Sequence, residues 1–498
     1  MTANLSRLFN ADSLYEQLIQ QTIAIESQPK TMLQTQRGDQ RIAKAALQDF
    51  DSQVSTLHKL AKRFGDPFQT PFAARRATVD AESGLTVSAS DAAAAGEHTV
   101  RVDRLARADA RVSRQLASAG QTLGALFADD PGPPPVAGSR AFTIHVAQPD
   151  GSTADLAVAY QPADGATDGD ILAGIAQAIN DAVSAARGSG DLATGTGASA
   201  SVVRETDGTA RLSLRSLATG FGGRLSFSDP DGVLAALEVD RTDLRVGTGG
   251  GALHAVGTSA ETSALSAAVE VDGLMLYRDA NTVSDAVAGL TLTLSRATGE
   301  ETTVRVGPDA ERMRTDLDAF VKAYNDVLSF IEAKTRVDGA TGTRGAFAGD
   351  STLRGLRSSL RADLAQATGG DLSLDALGIA TERDGTLRVA DATKLDALLA
   401  ADPAAVGAFF SGPDGVTTKL QARLESLVGA TGQIAGRQKG IDARIKRLDD
   451  QIQRWDDRML TREETLRAQF QRLQSVATAA SSQQTALSSY LNYGYSYF

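Results

Sequence analysis

The sequence contains no cysteine in 498 residues. This absence excludes a disulfide framework, thiolate metal centres, iron–sulfur clusters and cysteine nucleophiles. It does not fix the compartment, because cytosolic proteins and exported proteins without disulfides both lack cysteine. Whatever fold the chain adopts must therefore be stabilised without covalent cross-links.

Other scarce features exclude further classes of protein. No run approaches the roughly 18 consecutive apolar residues of a membrane span, and the N-terminus MTANLSRLFNADSL lacks a basic segment followed by an apolar stretch. We therefore expect neither membrane insertion nor a cleaved signal peptide. The net charge of −11 argues against a nucleic-acid partner, since phosphate binding requires a concentrated basic face. Aromatic residues make up only 5% of the chain, so its cores should consist mainly of Ala, Leu, Val and Ile.

The N-terminal end of the chain carries two helical apolar patterns. Ser13 and Glu16 fit a capping box that begins a first helix, and Leu14, Leu18 and Ile25 lie near one face of that helix. A second helix has an apolar seam with alternating steps of three and four residues, typical of coiled coils. This seam comprises Leu47, Phe50, Val54, Leu57, Ala61 and Phe64.

The C-terminal seam is longer and predicts a helix of about fifty residues, over residues 441–491. It begins with Ile441, Ile445, Leu448, Ile452, Trp455 and Met459, and after one additional step of four it continues through Leu466, Phe470, Leu473 and Leu487. An isolated helix cannot bury such a seam. We therefore expect the two ends to pair as an antiparallel stem, whose seam residues also form the interface between subunits.

The last nine residues are unusually aromatic for this chain. They contain Tyr490, Tyr493, Tyr495, Tyr497 and Phe498, although the whole sequence has only 1 Trp, 8 Tyr and 16 Phe. One interpretation is a partner-contact segment, because Tyr offers a large contact area at low entropic cost. The other is an ordinary unstructured chain end. The sequence does not decide between them.

The middle of the chain alternates apolar and polar residues, as half-buried strands do. The clearest stretches are residues 97–102, 141–146, 211–215, 290–294 and 302–306, and residues 171–183 read as one amphipathic helix. The predicted fold class is therefore α+β and multidomain. Terminal helices form a coiled-coil or helical-bundle stem, and β-rich head domains are inserted between the two ends.

No constellation of residues predicts chemistry. The four histidines, at positions 58, 98, 145 and 254, have no partner histidine at helical spacing, and the glycine-rich segment 247–251 lacks the Lys and Ser/Thr of a phosphate loop. Neither a Gly-x-Ser-x-Gly elbow nor a His-Glu-x-x-His motif occurs. We expect no catalytic residue, no cofactor and no metal, and a stem with a head but no active-site motif favours an assembly protein over an enzyme.

A series of short motifs follows in one order along the chain. The first are residues 10–14 (NADSL), 26–29 (ESQP), 75–78 (RRAT), 85–90 (LTVSAS) and 94–100 (AAGEHTV). The later ones are residues 271–273 (VDG), 281–294 (NTVSDAVAGLTLTL), 319–326 (AFVKAYND), 349–354 (GDSTLR), 377–379 (LGI) and 384–387 (DGTL). In this order they resemble the family of bacterial flagellar filament caps, also called hook-associated protein 2. Residues 106–265 match that family only loosely.

The resemblance implies an order of domains along the chain. Residues 1–65 would be the N-terminal stem helices, and residues 66–105 the first part of a leg domain. Residues 106–265 would form the β-rich head domains. Residues 266–430 would supply head-return strands and the second, helical part of the leg. Residues 431–498 would be the long C-terminal helix with its aromatic tail.

The resemblance also implies a function and partners. The chain would form a homo-oligomeric plate at the distal tip of the filament, where it promotes folding and insertion of exported flagellin, prevents flagellin loss and serves in adhesion. Its partners would be its own copies, flagellin, a dedicated export chaperone and the flagellar type III export apparatus, and its location extracellular. Two alternatives stay open at this point: a hook–filament junction protein, and a surface adhesin or enzyme carried on a coiled stem.

Overall fold

The computed structural model describes residues 11–66, 70–130, 136–206, 208–367 and 372–494, and for residues 11–14, 130, 136, 206 and 490–494 it describes the backbone only. The helices in these ranges are α1 (Ala11–Glu26), α2 (Gln28–Phe64), α3 (Asp168–Ser189), α4 (Val233–Leu237), α5 (Ala310–Thr335), α6 (Ser351–Ala365), α7 (Ala392–Ala401), α8 (Pro403–Ser411), α9 (Val416–Glu425) and α10 (Gln433–Gly494). About 46% of the described residues are helical and 23% are in strands, which confirms the α+β class.

Strands occupy the middle of the chain and one later hairpin. They are β1 (Arg75–Thr78), β2 (Leu85–Ala89), β3 (Gly96–Arg104), β4 (Ala108–Val112), β5 (Leu116–Ala117), β6 (Ala128–Asp130), β7 (Val136–Ala137), β8 (Arg140–Ala147), β9 (Thr153–Tyr160), β10 (Ala198–Thr206), β11 (Thr209–Thr219), β12 (Leu225–Ser228), β13 (Gly251–Ala252), β14 (Ala267–Val271), β15 (Leu274–Arg278), β16 (Thr282–Val283), β17 (Leu290–Leu294), β18 (Glu301–Pro308), β19 (Ile379–Thr381) and β20 (Leu387–Val389). The five alternating stretches predicted as strands lie in β3, β8, β11, β17 and β18. The predicted helix at residues 171–183 lies within α3.

The chain divides into two compact units. The helical unit is built from the segments before Ala73 and after Asp309, so both ends of the chain belong to it. The β-rich unit is the intervening segment, Ala73–Asp309. The β-rich part is thus inserted between two helical parts, as the sequence predicts, whereas the finer domain boundaries predicted from the sequence stay predictions.

Phenylalanine is concentrated in the core of the helical unit. Phe64 at the end of α2 has its ring centroid 5.2 Å from that of Phe320 in α5 and 5.5 Å from those of Phe72 and Phe410. Phe50 stacks on Phe330 at 5.4 Å. Such ring contacts contribute beyond the area that they bury. The buried residues of this unit are still mainly Ala, Leu, Val and Ile, as expected from the sequence, and its few aromatic residues are gathered in one place.

Two residues of the family motifs hold the helical unit together by hydrogen bonds. The Asn325 side-chain amide donates to the carbonyl of Leu387 and accepts from its N–H, both at 2.7 Å, which attaches the β19–β20 hairpin to α5. Asp350 is the N-cap of α6 and accepts from the backbone N–H groups of Thr352 and Leu353 at 3.0 and 3.1 Å. These motifs are therefore explained by structure rather than by chemistry.

A third motif residue, Tyr324, places a hydroxyl in this core without a hydrogen-bond partner among the described residues. The side chain is fully buried, and burial raises the pKa of Tyr324. A buried hydroxyl that lacks a partner has lost its hydration without compensation.

Replacing Tyr324 by Phe removes this unpaired hydroxyl and keeps the ring. We expect the free energy of unfolding of Tyr324→Phe to be unchanged or up to about 1 kcal/mol higher than that of the natural chain. Urea denaturation followed by circular dichroism measures it, with Tyr277→Phe in β15 as the control. A loss of stability larger than that of the control would show that the hydroxyl has a bonding partner.

The β-rich unit contains two cores. In the first, the five-stranded sheet β1-β18-β3-β14-β15 packs against the three-stranded sheet β16-β17-β2. In the second, α3 packs against the sheets that contain β10-β11-β4-β13 and β12-β8-β9. α3 begins at a complete capping box, in which the Thr167 hydroxyl accepts from the Asp170 N–H and the Asp170 carboxylate accepts from the Thr167 N–H. In the sheets of both cores, strands that are not consecutive in the sequence lie next to each other. Distant segments of the chain must therefore come together before either core can form.

A buried ion pair crosslinks the second core. Asp109 and Arg111 on β4 are almost completely inaccessible and lie 3.0 Å apart, between Asp109 Oδ2 and Arg111 Nη2. Arg111 also donates to the carbonyls of Leu225 and Asp240 at 2.9 and 2.8 Å, and Asp109 accepts from the N–H of Leu225 at 2.9 Å. Its guanidinium lies 5.0 Å from the centroid of the Phe227 ring. Both charges are thus hydrogen-bonded as well as paired, as burial requires.

Removing the acid leaves the arginine charge buried without its partner. We expect Asp109→Ala to lower the free energy of unfolding of the β-rich unit by about 3–5 kcal/mol. The matched control is Asp155→Ala, which removes an exposed carboxylate that contacts His145 on the neighbouring strand. Urea denaturation followed by circular dichroism compares the two, and equal effects would contradict a special role for the buried pair.

Candidate functional site: the antiparallel stem

The two ends of the chain meet in a two-helix stem. α1 and the first half of α2 lie along α10 in the opposite direction. Lys44 pairs with Asp442 at 2.6 Å, Arg37 with Asp449 at 2.9 Å, and Lys30 with Asp456. The partners are spaced by seven residues on both helices, in opposite directions, as in an antiparallel coiled coil.

Ion pairs continue along α1 with their signs reversed. Here the acids lie on the N-terminal segment, where Glu26 pairs with Arg462 at 3.0 Å and Glu16 with Arg467. The hydrogen bonds that the Arg462 guanidinium donates to the Glu26 carboxylate raise the pKa of Arg462. Solvent screens exposed pairs of this kind, so each contributes little to stability. They align the helices, whereas the apolar seam provides most of the stabilisation.

Over most of its length, the predicted C-terminal seam of α10 faces the other helices of the stem, α1 and α2. Leu448, Ile452 and Leu466 are buried. Ile441, Ile445, Trp455, Met459 and Phe470 are half-buried, and Phe470 packs on Tyr15 with ring centroids 5.1 Å apart. Leu473 and Leu487 are exposed. α10 extends from Gln433 to Gly494 and is longer at both ends than the predicted helix.

The face of α1 that packs on α10 differs from the predicted one. Ile19 is 2% exposed, whereas Leu18 and Ile25 are 43% and 66% exposed. The side chain of Leu14 lies outside the described residues. Two apolar stripes run side by side on this helix, and helical periodicity alone cannot tell which of them meets the partner.

The predicted start of the first helix also requires correction. α1 begins at Ala11, so Ser13 lies inside the helix and not at its N-cap. The pairing of Ser13 with Glu16 is therefore not a capping box, and Glu16 pairs with Arg467 across the stem instead.

The seam of the second helix lies in a different environment from the one predicted. Its residues belong to the core of the helical unit, where α2 contacts α5, α8 and α9, and they are essentially inaccessible: Leu47, Phe50, Val54, Leu57, Ala61 and Phe64. A neighbouring subunit could not reach them, so they are core residues rather than an interface. Heptad-like spacing also arises on a helix buried in a globular bundle, which explains the error.

The side chains of the aromatic tail lie outside the described residues. Tyr490 and Tyr493 belong to α10, but their side chains, together with Tyr495, Tyr497 and Phe498, lie outside the described residues. A partner-contact role for these five residues stays a prediction.

The described residues were compared with two other kinds of feature, metal sites and membrane-spanning helices, and show neither a metal-binding cluster nor a single spanning helix. Within the described ranges, no group of three or more His, Asp or Glu side chains is arranged to hold a metal ion. No single helix in those ranges is long and apolar enough to cross a membrane. Ala392–Ala401 and Pro403–Glu425, bent by 102°, pass the test of length and composition only when taken together.

Comparison with known proteins identifies the architecture. A family model described as the N-terminus of flagellar hook-associated protein 2 matches residues 13–109, and one described as its C-terminus matches residues 264–482. These segments contain α1, α2 and most of α10, which form the stem. The chain belongs to the flagellar hook-associated protein 2 family. The loosely matching segment of the sequence analysis, residues 106–265, falls almost entirely between the two matches.

Individual members of the hook-associated protein 2 family are moderately similar. The B-type flagellar hook-associated protein 2 of Pseudomonas aeruginosa is 26% identical over 429 residues, which cover 84% of this chain and 83% of that protein. The flagellar hook-associated protein 2 of Vibrio cholerae is 32% identical over 188 residues, 36% of this chain and 28% of that protein. The crystal structure of the D1-D2-D3 domains of the flagellar cap protein FliD from Escherichia coli has a TM-score of 0.54 at 25% identity. It covers 80% of this chain and 99% of that one.

The buried and exposed stripes of α1 provide a matched pair of substitutions. We expect Ile19→Asp to weaken the docking of α1 on α10 by at least about 2 kcal/mol, because the substitution places a charge in the buried contact. Leu18→Asp, one residue away, should leave it nearly unchanged. Hydrogen exchange of residues 15–26, at a protein concentration where subunits are separate, measures the difference. Equal protection in the two variants would contradict the packing described for α1.

Proposed function

We propose that the protein is the structural cap at the distal tip of the bacterial flagellar filament, where several copies form a plate. The observation that supports this most is the match of both family models to the segments that build the stem. The likeness to the E. coli cap protein over 80% of this chain supports it further. On this proposal the protein is extracellular and its work is binding and assembly, not catalysis.

The stem provides the support that a cap needs. α10 has 62 residues, which corresponds to a rod about 93 Å long at 1.5 Å per residue. Its last part, residues 473–494, contains no charged residue and exposes Leu473, Val476 and Leu487. We infer that this surface meets other helices of the filament, with flagellin as the principal partner.

The resemblance to flagellar filament caps supplies the more detailed parts of the proposal. The plate promotes folding and insertion of newly exported flagellin and prevents its escape, and the chain reaches the tip through the type III export apparatus with a dedicated chaperone. Adhesion, as a second role, belongs to the β-rich unit. Membership in this family favours the cap over the hook–filament junction and the adhesin, which the next experiment separates.

The experiment is complementation of a flagellated strain that lacks its own cap gene. We expect the full chain to restore filaments and to retain flagellin. A variant truncated after Phe470 should fold but leave flagellin monomer in the medium, because the uncharged part of α10 is missing. Glu261→Arg, an exposed change in the β-rich unit, is the control.

Two outcomes would count against the cap, and a third would count against the role of the last part of α10. Loss of the hook–filament junction in the deletion strain would indicate a junction protein. Intact filaments without flagellin leakage, combined with lost surface binding, would indicate an adhesin. Full activity of the truncated chain would exclude the last part of α10 from the function.

A further inference from the structure

One side of the stem carries a groove between α2 and α10 that is lined by both apolar and polar side chains. Its floor is formed by Met32, Leu33 and Trp455, and its volume is about 420 Å³. Met32 is 65% exposed and Trp455, the only tryptophan of the chain, is half-buried. Met and Trp are enriched at protein interfaces, so an exposed Met beside a half-buried Trp in a groove is typical of a contact surface between proteins.

Two arginines stand at the rim of this groove. Arg454 and Arg458 are both exposed, and the guanidinium of Arg458 lies 4.7 Å from the centroid of the Trp455 ring. Neither arginine forms an ion pair or hydrogen bond within the described ranges, although other basic residues of the stem, such as Arg462 and Arg467, are paired. The groove is therefore apolar at its floor and cationic at its edge.

Another face of α10 presents the complementary pattern. Leu460 is 62% exposed and is flanked at i−3 and i+4 by Asp457 and Glu464, which share its side of the helix and are exposed. Neither acid forms an ion pair among the residues that the structure describes. At 100° per residue, Leu460 lies about 140° around α10 from Trp455. The apolar centres of the two patterns, Trp455 and Leu460, therefore point in different directions and cannot meet within one chain.

We propose that these two faces are the two halves of one stem-to-stem interface between copies of this chain. Leu460 of one subunit enters the groove of its neighbour, and the Asp457 and Glu464 carboxylates of the first subunit pair with Arg454 and Arg458 of the second. This proposal rests on the proposed function, since it specifies how the copies of the cap associate. It replaces the α2 seam, which is buried inside the chain, as the place where stems touch.

The geometry suits a ring. An interface with different faces on its two sides repeats from subunit to subunit and closes when the rotation permits. Subunits related by a rotation axis lie at the same height along that axis, so residues that touch between subunits must lie at similar heights on the stem. Leu460 and Arg458 meet this condition, because they are only two residues, or about 3 Å of rise, apart. Apolar contact at the groove floor would supply most of the affinity, and the charges would set the orientation and exclude a reversed neighbour.

The natural absence of cysteine allows a direct test with the full-length chain. Two single-cysteine variants, Met32→Cys and Leu460→Cys, carry different affinity tags and are mixed under mild oxidation. We expect disulfide-linked dimers that contain one copy of each variant, several times more abundant than when either is mixed with Glu261→Cys. The pair Arg454→Cys and Asp457→Cys repeats the test if one variant does not fold. Mixed dimers no more frequent than the control would overturn the proposal.

Charge exchange provides a second test, read from the single tryptophan. Arg454→Glu with Arg458→Glu should shift the association midpoint at least about tenfold toward higher concentration. Adding Asp457→Arg and Glu464→Arg in the same chain should restore it. Light scattering measures assembly, and Trp455 emission should shift to the blue only when the ring forms.

The outcomes also separate this proposal from the proposed function. A ring that persists with unchanged midpoint in the charge-reversed chain would overturn the stem interface and leave the cap function standing. A natural chain that neither cross-links nor associates would overturn the interface and would count against an oligomeric cap.

Discussion

The apolar seam of α10 can leave water only by packing against another part of the chain, and the stem depends on this requirement. α10 is too exposed to keep Leu448, Ile452 and Leu466 buried alone, and α1 with the start of α2 supplies the missing surface. Pairing the two ends brings residues more than 400 positions apart into contact. The β-rich segment is consequently enclosed as an insertion, and its termini must return to the same helical unit.

In the absence of disulfides, the helical unit and the β-rich unit are stabilised by different interactions. The helical unit gathers phenylalanines from α2, α5 and α8, so a small number of rings provides a large part of its packed surface. The β-rich unit instead buries the Asp109–Arg111 pair, which fixes strand ends and loops through backbone carbonyls. A buried pair adds less stability than apolar packing of equal size. Its value here is that it joins segments for which no regular strand pairing exists.

Much of this arrangement could be predicted from the sequence. Periodicity located the long C-terminal helix, the strands and the helix at residues 171–183, because these elements repeat a simple pattern over many residues. It could not decide between Leu18 and Ile19, since both stripes have helical spacing and only the partner distinguishes them. Nor could it separate the buried core seam of α2 from a coiled-coil seam, since a globular bundle and a coiled coil both favour steps of three and four. The charged and apolar faces around Trp455 and Leu460 required the structure, because their meaning depends on which side of the stem each occupies.

The continuity of α2 has a mechanical consequence. One helix of 37 residues contributes its first half to the stem and its second half, from Leu47 to Phe64, to the phenylalanine core. No loop interrupts it, and helices bend sharply only at specific defects such as an internal proline. A sideways force on the stem is therefore carried as a bending load directly into the packed core, and the core resists it because close-packed side chains deform little. The stem behaves as a lever clamped at one end, so its tilt is set by core packing and not by a hinge.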